Sequence, residues 1–148
     1  MNFKIMFFLI GLYVNLYAQM LNDISKNIAQ QLYINSDFKN IADVKLKILP
    51  MKNLHDNSLT SIAGIKINEN LINDLFVRGY KIVKSDQKPY NCVLVSTFIN
   101  FKEGMLINSR VINVNTGLVH STAKVFIPKK DLKEINKIYH KYSWFREN

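Results

Sequence analysis

The stretch INSRVINVNTGLVHSTAKVFIP, residues 107–128, alternates apolar and polar side chains on both sides of a short turn. Such alternation is typical of a β-strand with one covered face, and Asn115, Thr116 and Gly117 are suited to a turn between two strands. In the second strand, one face is predicted to carry Val119, Ser121, Ala123, Val125 and Ile127. The stretch therefore predicts a β-hairpin, and it holds almost nothing that could perform chemistry.

A third strand precedes this hairpin. It is predicted in residues 91–101, NCVLVSTFINF. A turn at Lys102, Glu103 and Gly104 connects it to the strand in 105–114. Both turns end in glycine, and we expect a positive φ at each glycine because short hairpins require one there. The three strands then form an antiparallel meander with one covered face.

A strand–helix–strand unit lies upstream. The segment 44–48 alternates apolar residues with lysines, which is typical of a strand with one wet face. A helix is predicted to end at Gly79, with Arg78 near the negative end of its dipole, before a strand in 80–85. Its apolar stripe consists of Ile62, Ile65, Leu71, Ile72, Leu75 and Phe76. A right-handed crossover would make the two strands parallel.

An amphipathic helix begins the domain, with Leu21, Ile24, Ile28, Ala29 and Leu32 on one face. We expect this apolar face to pack on the helix's own domain, and packing on a partner protein is the alternative. The predicted fold class is α+β: a βαβ unit followed by an antiparallel three-strand meander, with helices packed on one sheet face. This domain is expected to span residues 19–128, which suits one core in a chain of 148 residues.

Residues 1–18 have the pattern of a secretory signal peptide. Lys4 precedes an apolar run from Ile5 to Val14, and Ala18 is a small residue suited to cleavage. A retained N-terminal anchor is the alternative. Gln19 follows the predicted cleavage point where a lipoprotein would have cysteine, so no lipid anchor is expected there.

The chain is basic, with 20 Lys and Arg against 11 Asp and Glu. Anionic envelope components are predicted electrostatic partners, and charge that serves solubility alone is the alternative. Nucleic acid is not a predicted partner, because no RNP-like or helix-turn-helix signature is present. The single cysteine, Cys92, precludes an intramolecular disulfide.

No sequence motif indicates catalysis, and no cofactor or metal site is predicted. His55, His120 and His140 are far apart in sequence and lack ligands at metal-binding spacing. Cys92 begins a core-type strand with no histidine nearby, which favours a buried structural role. Arg110 has two interpretations: a side chain lying over the sheet with its head in water, or an ion pair within the domain or at an interface.

The C-terminal segment, residues 129–148, is predicted to start as a helix and then becomes aromatic and basic. Tyr139, Tyr142, Trp144 and Phe145 lie near Lys137, Lys141 and Arg146. Aromatic residues and arginine are enriched at interface hot spots. The segment is therefore a candidate docking surface, and packing of its rings on the chain's own sheet is the alternative.

Two motifs resemble the FlgO family of flagellar-assembly envelope proteins. The first, in which a helix ends in a turn into a strand, is matched by Leu75, Arg78, Gly79 and Tyr80. The second, in a later hairpin, is matched by Arg110, Val111, Ile112, Asn113, Thr116, Gly117 and Val119, with Asn113 where aspartate is common. The resemblance covers most of residues 21–128.

The resemblance implies a non-enzymatic periplasmic or outer-membrane-associated protein required for flagellar function and motility. Its expected partners are flagellar basal-body or outer-membrane ring proteins, and Asn113, Thr116 and Gly117 are expected to shape the hairpin turn. Well-known members are lipoproteins, and Gln19 departs from that pattern. The alternative function is a regulatory binding module for a cell-wall synthase or a surface-polymer export system, which similar small α+β envelope domains resemble.

Overall fold

The computed structural model describes residues 3–55, 62–83 and 89–134. The helices are α1 (Phe3–Ile34) and α2 (Ile62–Val77), with a short 3-10 helix at Ile41–Asp43 and a further helical segment at 129–134. The strands are β1 (Lys45–Ile48), β2 (Lys52–Asn53), β3 (Lys81–Val83), β4 (Cys92–Asn100), β5 (Gly104–Asn113) and β6 (Val119–Pro128). Within these residues, no helix has the length and apolarity needed to cross a membrane.

One mixed sheet contains all six strands. Its order is β3-β1-β4-β5-β6, and the short β2 pairs with β4. The strands β1 and β3 are parallel, as the predicted crossover requires, and β4, β5 and β6 form the predicted antiparallel meander. The α+β fold is therefore confirmed, and β2 is a further short strand, parallel to β4, that the sequence pattern did not predict.

Both helices cover the same face of this sheet. Ile28, Ala29 and Leu32 of α1 join a single core with inward-facing residues of the central strands, among them Leu46, Leu94, Ile107, Val111 and Ile127. Two amide side chains fix α1 along β6. The Nε2 of Gln31 donates to the carbonyl of Lys124 (3.1 Å), and the Nδ2 of Asn35 donates to that of Thr122 (3.1 Å). The opposite face of the sheet has no described helix on it.

The stripe predicted for α2 is only partly correct. The helix buries Ala63, Ile67, Leu71 and Leu75, which recur at every fourth position. Ile65, Ile72 and Phe76 instead lie on the opposite side of the helix, and the Phe76 side chain is 67% exposed. The sequence offers α2 two apolar stripes, and packing against α1 and the sheet selects the one that includes the small Ala63.

The C-terminal end of α2 has the predicted glycine geometry. Gly79 has a φ of 98°. Its N–H donates to the carbonyl of Phe76 (3.0 Å), and the N–H of Tyr80 donates to that of Leu75 (3.2 Å). This pair of bonds is a Schellman motif, which satisfies carbonyls that the helix end leaves open. It also places Tyr80 in the core, where the side chain is 1% exposed.

The two hairpin glycines differ from one another. Gly117 has a φ of 72°, whereas Gly104 does not have a positive φ, so the expectation for Gly104 is wrong. Gly104 begins β5 where a Cβ would lie 2.2 Å from the backbone oxygen of Ile127. Close approach of β6, and not turn geometry, therefore explains this glycine.

Val119 is also a correction. The other members of its predicted face, from Ser121 to Ile127, are buried, but the Val119 side chain is 48% exposed. The β5–β6 register shifts between Val111 and Ile112. Such an irregularity interrupts the alternation of faces at this end of the hairpin.

Candidate functional site

The turn between β5 and β6 is organised by Asn113. Its Oδ1 accepts from the N–H of Asn115 (2.9 Å) and of Thr116 (3.2 Å), and its backbone carbonyl accepts from the N–H of Gly117 (2.9 Å). The Thr116 hydroxyl accepts from the N–H of Leu118 (3.3 Å). Asparagine favours such turns because its short side chain bonds to nearby backbone donors. Asn113, Thr116 and Gly117 thus form one hydrogen-bonded unit at the end of the sheet.

Asn91 connects this turn to the neighbouring strands. Its backbone carbonyl accepts from the N–H of Val114 (3.0 Å), and its side-chain oxygen accepts from the N–H of Lys45 (2.8 Å). Its Nδ2 donates to the carbonyl of Asp43 (2.9 Å). Asn91 was not predicted from the sequence, since nothing local distinguishes it from other loop asparagines. A network of this kind depends on partners that are distant in sequence.

Arg78 and Gly79 lie at the same end of the sheet as the hairpin turn, but beside a different edge. The guanidinium of Arg78 lies 5.9 Å from the centre of the Tyr33 ring, and so links the ends of α2 and α1. Gly79 faces the side chain of Ile41. Three strand spacings separate β3 from β5, about 14 Å. The two FlgO-like motifs therefore frame one end of the domain without forming a single cluster.

Arg110 lies on the face of the sheet opposite the helices. It is exposed, and its cross-strand neighbours are Val95 on β4 and Thr122 on β6. Among the residues that the structure describes, no carboxylate is ion-paired with it. The side chain thus lies on the side of the sheet that the described helices do not cover.

His120 has a partner that the sequence did not suggest. Its Nδ1 lies 2.6 Å from the Oδ1 of Asp37, and its ring is 4.6 Å from the ring of Phe38. The N–H of Asp37 also donates to the carbonyl of His120 (3.1 Å). These contacts attach the loop after α1 to the start of β6, which gives the pair a structural role.

The buried polar and titratable groups of the described residues lie at separate places in the core. Burial raises the pKa of the Cys92 thiol and raises the pKa of Tyr80 to about 12. Ser96 and Ser109 share a buried hydrogen bond of 2.8 Å. Within residues 3–55, 62–83 and 89–134, no three potential metal ligands come together. Tyr142, Trp144 and Phe145 lie outside the described residues.

The fold defines a small α+β domain with a mixed sheet, and solved structures share it. The C-terminal domains of LpoB from Salmonella enterica and Escherichia coli align with 71% of this chain and 98% of their own length, at 15% identity, with TM-scores of 0.53 and 0.52. The NMR structure of E. coli LpoB gives a TM-score of 0.53 at 15% identity, over 70% of this chain and 67% of that one. At this identity the likeness concerns the fold.

The family model described as FlgO protein matches residues 83–132. The FlgO resemblance inferred from the sequence is thus confirmed over the segment that contains β4, β5 and β6. The hairpin motif lies inside this segment, and the Leu75–Tyr80 motif lies before it. No curated protein sequence matches the chain.

Proposed function

We propose that this protein is a non-enzymatic envelope factor, periplasmic and associated with the outer membrane, that supports flagellar assembly or stability and therefore motility. The observation that carries the proposal is the FlgO match over residues 83–132. That segment consists mainly of the meander, in which side chains serve strand pairing, the core and the turn around Asn113. A domain built in this way acts through surface complementarity.

The proposed partners are other flagellar basal-body or outer-membrane ring proteins. Two surfaces suit such contacts. One is the outer side of α2, where Ile65, Ile72 and Phe76 are exposed. The other is the sheet end framed by Arg78 and the turn at Asn113. Apolar groups that remain exposed on a folded domain are typical of protein interaction sites.

A second candidate function is a regulatory binding module for a cell-wall synthase or a surface-polymer export system. The observation that favours it is the fold, because the LpoB domains align over 98% of their length whereas the FlgO match is confined to residues 83–132. Both candidates are binding functions, and they differ in the partner.

Co-purification separates the two candidates. The tagged protein is isolated from envelopes after mild cross-linking, and captured proteins are identified by mass spectrometry. Recovery of basal-body or outer-membrane ring proteins supports the flagellar role. Recovery of a wall synthase or an exporter in their place supports the second candidate. An interface variant, Phe76→Ser combined with Ile72→Ser, should reduce capture if α2 provides the interface.

A further inference from the structure

The face of the sheet opposite the helices is strongly cationic. Lys45 and Lys47 on β1, Lys81 on β3, Arg110 on β5 and Lys124 on β6 all point to this side, since each alternates with inward-facing neighbours. Lys52 joins them on β2 through its pairing with Thr97. Among the residues that the structure describes, no strand position on this face is a carboxylate, and no carboxylate is ion-paired with these six cations.

Apolar side chains lie between these charges. Phe126 is 48% exposed beside Leu106, and Val93, Val95 and Ile112 are half-buried in the neighbouring rows. The Nζ of Lys47 lies 5.0 Å from the centre of the Tyr90 ring. We call this combination of cations and apolar groups the open sheet face. It crosses four strand spacings from β3 to β6, about 19 Å.

Two of the cations on the open sheet face are placed unfavourably for folding. Lys45 and Lys81 are direct cross-strand neighbours, and like charges placed opposite one another destabilise a strand pair. Lys47 contacts the Tyr90 ring, but none of the six cations is ion-paired with a carboxylate of the described residues, so their charges are available to an anionic partner. The charge pattern therefore fits an anionic surface that contacts several strands at once.

We propose that the open sheet face binds the surface of an anionic phospholipid bilayer. Five of its six cations are lysines, which are depleted at protein–protein interfaces. Lysine is suited to loose attraction by lipid headgroups, and each basic residue near an anionic membrane strengthens binding about fivefold. The neighbouring Phe126 and Tyr90 can lie at headgroup depth, as aromatic residues do at membrane interfaces.

Two other occupants are disfavoured by charge. A second copy of this chain would oppose one cationic face to another. The C-terminal segment carries Lys137, Lys141 and Arg146, so its charge also opposes this face. The proposal goes beyond the flagellar role, because vesicle binding does not depend on which protein partner the domain has.

The test is sedimentation of the full chain with vesicles made of equal parts phosphatidylglycerol and phosphatidylcholine, and with pure phosphatidylcholine vesicles. The face variant combines Lys45→Gln, Lys81→Gln and Lys124→Gln. The matched control combines Lys26→Gln, Lys39→Gln and Lys129→Gln, which remove the same charge from exposed positions elsewhere. The wild type and both variants have the same N-terminal residues. Any binding of that segment to the vesicles is therefore the same in all three and does not affect the comparison.

The face variant should lose about a hundredfold in affinity for the anionic vesicles, and the control variant much less. Added salt should weaken wild-type binding. Equal losses in both variants, or equal wild-type binding to the two vesicle types, would overturn the proposal. The proposal would also be overturned if the face variant bound the vesicles as tightly as wild type but no longer captured an acidic protein. If the combined variant fails to fold, the single Lys→Gln changes should each show about a fivefold loss.

Discussion

Gly104→Ala is expected to destabilise the domain although it adds one methyl group. An alanine Cβ at this position would lie 2.2 Å from the backbone oxygen of Ile127 and 2.8 Å from the Phe126 ring. The oxygen cannot move alone, because Met105 pairs with Ile127 in the β5–β6 ladder and Phe101 donates to the Gly104 carbonyl (2.7 Å). Relief of the clash must therefore shift the end of the hairpin.

The size of the effect follows from two opposing contributions. Overpacking a rigid site costs about 1–3 kcal/mol. Loss of glycine's freedom in the unfolded chain returns about 0.4–1 kcal/mol. The free energy of unfolding should fall by on the order of 2 kcal/mol, and the melting temperature by about 4–8 °C.

Urea denaturation followed by circular dichroism measures this change. Gly117→Asn is the matched control, because Gly117 has open space around its Cβ position and asparagine tolerates a positive φ. The control should lie within about 1 kcal/mol of wild type. A Gly104→Ala midpoint equal to that of wild type would show that the close approach to Ile127 is not a constraint on this fold.

Three further predictions concern the turn, a buried tyrosine and the C-terminal segment. Gly117→Val should lower the free energy of unfolding by about 1–3 kcal/mol in a urea melt, because a β-branched residue resists a φ of 72°. An unchanged midpoint would refute this. Burial raises the pKa of Tyr80 from 10.0 to about 12, because the buried site disfavours the ionised hydroxyl. The contribution of the neutral side chain to the free energy of unfolding, roughly 2–3 kcal/mol, is therefore complete below pH 10 and is lost as the pH rises through 12. Urea melts should show wild type losing stability relative to Tyr80→Phe over that interval, and parallel curves would contradict the assignment. Truncation after Lys137 should abolish swimming while thermal stability holds, if the aromatic segment docks on a partner; a matching fall in stability would instead place it in the core.

The meander was predictable because its information is local. Alternation along β4, β5 and β6 and the turn residues Asn113 to Gly117 are adjacent in sequence, so period and turn chemistry agree. The same holds for the end of α2, where Gly79 follows the last apolar residues. Gly104 shows the limit of this reasoning, because its requirement comes from Ile127, which belongs to another strand.

Features that depend on distant partners were not predictable. Whether α2 buries Ala63 and Ile67 or Ile65 and Ile72 is decided by α1 and the sheet, not by the helix itself. The insertion of β1 between β3 and β4 depends on pairing across the whole domain. The cationic character of the open sheet face was visible only as scattered lysines until the register brought Lys45 beside Lys81.

The central claim is that this domain serves flagellar function by binding. Its most direct test is a deletion strain scored for swimming and for filament assembly, with the wild-type chain and the Gly117→Asn variant as complementing controls. Deletion is expected to impair swimming, and both controls are expected to restore it. Normal swimming and normal filaments in the deletion strain, together with a defect in wall synthesis or polymer export, would contradict it.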